Sequence, residues 1–133
     1  GFTSKKHAGW TEIPLINWSH LNTLVKQKIT KFIITECSVG KTAFALYISD
    51  QSMEPLFPEK SIVIVDPESE PTHGSYIIIK TGKNELILRN FLLISGNKYT
   101  TPLNPKFGTI AKLLTKDKIL GTVVRTIYDH RIT

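Results

Sequence analysis

The chain has 133 residues, 41% hydrophobic and 21% charged; that is the size of one domain with a single apolar core, and too apolar for a disordered chain. No apolar run approaches the roughly 20 residues that span a bilayer and no signal peptide opens the chain, which disfavours a membrane-tethered enzyme and points to the cytoplasm. The net charge of +6 rests on lysines scattered from Lys5 to Lys118 with no interleaved aromatic pattern, so it reads as a solvated basic surface before it reads as a nucleic-acid platform.

In chain order, residues 1–11 are polar and aperiodic and read as a tail or linker, with Ala8-Gly9 as an ordinary linker pair. Ile13 to Trp18 is a strand candidate, β-branched and aromatic with Pro14 near its start. Ser19 to Lys28 reads as one short helix, Ser19 capping it and Leu21, Leu24 and Val25 sharing a face. Ile29 to Glu36 turns β-like. The lone Cys37 excludes an internal disulfide and reads as a small buried apolar residue, since no base neighbours it. Gly40-Lys41 punctuates, and Ala43 to Ser49 is a strand delivering a polar insert that contains Ser52, Met53, Glu54 and Pro55.

Ser61 to Asp66 is a β-branched strand closed by Pro67, and Glu68 to Gly74 is a polar loop. Ser75–Thr81 and Glu85–Phe91 form a hairpin about Gly82-Lys83-Asn84; Leu92–Ser95 and Tyr99–Leu103 form a second about Gly96-Asn97-Lys98. Asn104 to Gly108 is a turn and Ile119 to Tyr128 is the last strand. Many short strands between Gly, Pro and Asn turns predict a mainly β, barrel-like or coiled-sheet domain.

Several stretches taken together, Ser52-Met53-Glu54-Pro55, Ile62 to Asp66, Pro71-Thr72-His73-Gly74, Glu85 to Arg89, Pro102-Leu103-Asn104-Pro105 and Ile119 to Val124, resemble the LexA-like (S24) family. That family comprises the self-cleaving C-terminal domains of SOS and phage repressors and shares its core fold with signal peptidases. The resemblance covers about residues 43–128 and implies a LexA/signal-peptidase-like coiled β-sheet or barrel-like domain over residues 12–133. It further implies that a helix-turn-helix domain, outside this chain, binds operator DNA, and that this domain forms a homodimer to which Ile119 to Ile132 contribute.

The family's chemistry is a Ser–Lys dyad in which a neutral lysine amine takes the serine proton. The resemblance puts Ser52 at the nucleophile position and Arg89 at the lysine position, with Met53 and Asp50 lining the oxyanion side of the cleft. A guanidinium with a pKa above about 12 stays protonated at physiological pH and cannot act as the base. Burying its charge calls for a partner, and Asp50 is the candidate carboxylate. The segment leading to the family's scissile Ala-Gly bond maps onto Ile13 to Asn22, where Leu21-Asn22 replaces the small pair, so the cleavage site reads as vestigial. The expected function is therefore dimerisation and regulation of a repressor that does not cut itself, with derepression by an antirepressor or other partner. Two alternatives stand beside it: an active S24 peptidase using Ser52 with another base, Lys80 included, and a nucleic-acid-binding β-domain. No His/Cys cluster has metal-ligand spacing and no glycine loop cradles a phosphate, so no cofactor is expected.

Overall fold

The computed structural model describes residues 3–16, 31–36, 39–48, 51–54, 56 and 61–127. Among the described residues, ten strands make one sheet: β1 (Lys5–His7), β2 (Trp10–Ile16), β3 (Phe32–Thr35), β4 (Phe44–Tyr47), β5 (Ile62–Asp66), β6 (Tyr76–Lys80), β7 (Leu86–Ile94), β8 (Asn97–Thr101), β9 (Ala111–Lys112) and β10 (Lys118–Ile127). Their lateral order is β1-β2-β4-β5-β10-β6-β7-β8-β9, with β3 paired to β2 off that path. The mainly β reading holds, and the sheet is open rather than a closed barrel. The expected helix over residues 19–28 lies outside the described residues.

Strand β5 explains the architecture. All five of its residues are buried, which is what an unbroken Ile-Val-Ile-Val run requires, because alternate side chains leave a strand on opposite faces. Val63 and Val65 pack with Phe44, Leu46, Met53, Ile78 and Leu88 in the main core. Ile62 and Ile64 pack the other way, with Ile13, Ala43 and Ala45. A third cluster, Ile77, Ile79 and Phe91, covers the far side of β6 and β7. The sheet therefore coils around one core while smaller clusters fill its outer face.

The last strand is threaded between two strands that are neighbours in sequence. The first half of β10 pairs with β6 (Ile119 opposite Ile79) and its second half with β5 (Val123 opposite Val65); Thr122 faces both Asp66 and Ile77. Register shifts on either side of Thr122, at Ile119/Gly121 and Val123/Arg125, bend the strand as bulges do. Gly121 sits where β10 touches the end of β5: a Cβ there would lie 2.6 Å from Val65 Cγ1 and 3.1 Å from the Asp66 carbonyl carbon. Asp66 locks the same corner. Its buried carboxylate accepts from the backbone N–H of Gly40 and of Glu68, both at 3.0 Å, while Thr122 Oγ1 donates to the Ser69 carbonyl at 2.7 Å.

Several boundaries differ from the sequence reading. Residues 5–7 and 10–11 are in strands rather than in a tail; β1 shows no period because all three of its residues are exposed. The turn expected at Gly96-Asn97-Lys98 is Ser95-Gly96, both at positive φ (51° and 79°). That two-residue connection matches strand twist, so β7 runs on unbroken to Ile94 and β8 begins at Asn97. The pairing of β2 with β4 is parallel, Leu15 opposite Ala45, a contact no local pattern announces.

Gly121→Ala should destabilise the domain by about 1–3 kcal/mol, the range for overpacking a well-filled site. Urea denaturation measures it; an unchanged midpoint would show that β5 and β10 can part at no cost.

Candidate functional site

Ser52 arises from the connection between β4 and β5, which is closed by the Ile48 N–H donating to the Ser61 carbonyl at 2.8 Å. Within it, Gln51–Met53 forms a 3-10 turn. The turn is clamped from two directions. Met53 is fully buried in the main core, and its Sδ accepts from the Leu103 N–H at 3.3 Å. The Ser52 carbonyl accepts from the Asn104 N–H at 2.7 Å. Asn104 in turn caps the next 3-10 turn, Pro105–Phe107, accepting from the Lys106 N–H at 3.1 Å. The Pro-Leu-Asn-Pro stretch thus serves as the bracket for the Ser52 turn, a role that spacing alone does not reveal.

Arg89 comes from the middle of β7, opposite Ile77 of β6. Its Nη1 donates to Ser52 Oγ at 2.5 Å and to the Leu88 carbonyl at 2.8 Å. Ser52 is 1% exposed and Arg89 is half-buried. The hydroxyl therefore receives a charge-assisted hydrogen bond from a group that carries no lone pair to accept its proton. A dyad base would have to do the reverse.

Lys80, His73, His7 and the small-residue pair Ala8-Gly9 fall elsewhere. Lys80 pairs with Leu86 and with Lys118, three residues along β6 from the partner of Arg89, or roughly 10 Å at strand rise. His73 Nδ1 accepts from the Leu93 N–H at 3.0 Å, which fixes it to the far end of β7. His7 stacks on Trp10, with ring centroids 3.9 Å apart. Ala8-Gly9 is the turn between β1 and β2. Met53 contributes packing and a thioether acceptor; its side chain is not an oxyanion donor. Asp50, Leu21, Asn22, His20, His130 and Cys37 lie outside the described residues, and so does the proposed Asp50–Arg89 pair. Among the described residues there is no metal-binding group of His, Cys, Asp and Glu, and no helix long and apolar enough to cross a membrane.

Comparison of the sequence with known proteins gives the family. The family model for peptidase S24-like proteins matches residues 8–124. The chain belongs to the peptidase S24-like family. It is 28% identical over 133 residues to an uncharacterised HTH-type transcriptional regulator of Coxiella burnetii, covering 92% of this chain and 62% of that one. It is 29% identical to repressor protein C2 of Salmonella phage P22, over 90% of this chain and 60% of the repressor. The HTH-type transcriptional regulator for conjugative element R391 of Providencia rettgeri is 30% identical over 88% of this chain and 60% of its own. The chain spans about 60% of the length of these S24-like relatives.

Because Arg89 and Ser52 touch, their substitutions should not add. A double-mutant cycle on Ser52→Ala and Arg89→Met, read by urea denaturation, is expected to give a coupling of about 1 kcal/mol or more. Strict additivity would mean that the hydrogen bond contributes nothing to the fold.

Proposed function

We propose that this chain is the regulatory domain of a transcriptional repressor whose S24 scaffold has lost self-cleavage and now serves to join protomers and to receive a partner. The observation that carries this reading is the hydrogen bond from Arg89 Nη1 to Ser52 Oγ. Attack on a peptide carbonyl needs the serine proton to leave toward a base. Here the group at that position is a permanent donor, so Arg89 holds the hydroxyl and cannot take its proton. An amine at position 89 would be different in kind, because desolvation lowers a lysine pKa and exposes a lone pair. The names of the relatives, HTH-type regulators and a phage repressor, supply the context: operator DNA would be bound by a helix-turn-helix region beyond this chain.

Arg89→Lys and the unaltered protein, incubated side by side at alkaline pH and followed by mass spectrometry, test the loss of cleavage. Neither unaltered protein nor its Ser52→Ala control should fragment. A discrete cut in unaltered protein that Ser52→Ala abolishes would replace this reading with that of an active peptidase using another base. A cut only in Arg89→Lys would show a dormant enzyme that lacks its base alone.

Joining of protomers gives a repressor the affinity of two half-sites bound together. The second half of β10 suits that role. Among the described residues its strand pairing is with β5, and Val124 on it is 40% exposed. Val124→Glu should shift a concentration-dependent dimer toward monomer in sedimentation equilibrium. A dimer constant unchanged by that substitution would place the interface elsewhere.

A further inference from the structure

At the end of the sheet away from the Ser52 turn, chain topology gathers a basic cluster that the sequence scatters. Lys118, first residue of β10, lies directly opposite Lys80, last residue of β6. Like charges directly opposed across an antiparallel pair destabilise it. The 81–84 turn and the 114–117 turn pack together at the same end: the Gly82 N–H donates to Asp117 Oδ1 at 3.3 Å, and Gly82 sits against the Lys116 side chain. Lys83 projects from the first turn.

Two carboxylates stand in or beside these two turns, Glu85 and Asp117. Asp117 is occupied, since its other oxygen accepts from the Leu114 N–H at 3.1 Å. On the same turn as Lys116 and Asp117, Leu114 is 62% exposed. A large apolar side chain exposed on a tied turn that also carries Lys116 and packs on the turn bearing Lys83 differs from an ordinary solvated basic surface.

We infer that this end of the domain is a docking surface for an acidic segment of a partner protein that presents an apolar side chain to Leu114. Charge complementarity selects the partner. A carboxylate between Lys80 and Lys118 relieves their repulsion, and contact with Leu114 removes apolar surface from water. A phosphodiester backbone answers the lysines but offers nothing to the leucine. A second copy of this chain, meeting this face with its own, brings two such lysine clusters together. The inference concerns a site separate from the Ser52 turn and does not depend on the loss of cleavage.

The test uses fluorescein-labelled ten-residue peptides titrated against the 133-residue chain: alternating Glu and Leu, Glu and Ser, and Lys and Leu, with a duplex of about 20 base pairs as a further arm. The Glu-Leu peptide is expected to bind, more weakly as salt rises. Lys116→Glu with Lys118→Glu should weaken it at least tenfold, and Leu114→Ser by about fivefold. In the unaltered protein, amide shifts on adding the peptide should cluster at residues 80–86 and 112–118, a readout that survives any failure of the variants to fold. Equal binding of the Glu-Ser peptide or tighter binding of the duplex overturns the inference in favour of a general polyanion surface. Failure of the Glu-Leu peptide to bind, shifts centred elsewhere, or a dimer that Leu114→Ser dissociates in sedimentation also overturns it.

Discussion

Threading β10 between β5 and β6 is the constraint on which the rest of the molecule depends. Strands β5 and β6 follow one another in sequence, yet the chain leaves their gap open until its final strand fills it. The filler changes partner at Thr122 and is bulged on both sides of it. Bulging adds local twist, and this lets one sheet coil around the core that holds Phe44, Leu46, Met53, Val63, Val65, Ile78 and Leu88. The close approach at Gly121 and the Asp66 carboxylate tie the corner. Most of these contacts join residues far apart in the chain, so the relative placement of the β4–β5 pair, which carries the serine turn, and the β6–β7 hairpin, which meets it, runs through β10.

Given that frame, the site is a small mechanical problem. Met53 anchors the turn in the core, Leu103 and Asn104 hold its backbone from the side, and β7 brings a side chain to Ser52 from below. A frame of this kind presents whatever stands at position 89 to the hydroxyl. A lysine there offers a lone pair after losing its proton; an arginine offers only N–H donors. The same geometry serves catalysis or structure according to the proton affinity of one side chain, so membership of the peptidase S24-like family and the expectation of no cleavage coexist in one fold.

The basic end shows how sheet pairing creates surfaces that composition conceals. A net charge of +6 spread over 133 residues describes a mildly basic protein. Pairing β10 with β6 sets Lys118 against Lys80, and packing of two turns brings Lys83 and Lys116 to the same end, where the second turn also carries the exposed Leu114. Field strength at a surface depends on where charges converge more than on their sum.

What the sequence determined by itself was local: the strand character of β5, whose β-branched run fits no half-exposed element; the β6–β7 hairpin, marked by Gly82-Lys83-Asn84; the serine turn; and the identity of residue 89, whose chemistry follows from its guanidinium wherever it lies. The family resemblance supplied the pairing of positions 52 and 89 and the coiled sheet. Tertiary structure alone decided the rest. Strand β1 was hidden because an edge strand exposed on every residue leaves no hydrophobic period. The parallel β2–β4 pair, the partner switch at Thr122 and the bracket from Leu103 and Asn104 join residues far apart in the chain, and hydrogen bonds between distant backbones leave no mark on side-chain pattern. The reach of Arg89 to Ser52 depends on strand register, which is set by packing of both sheet faces at once and not by any one stretch of sequence.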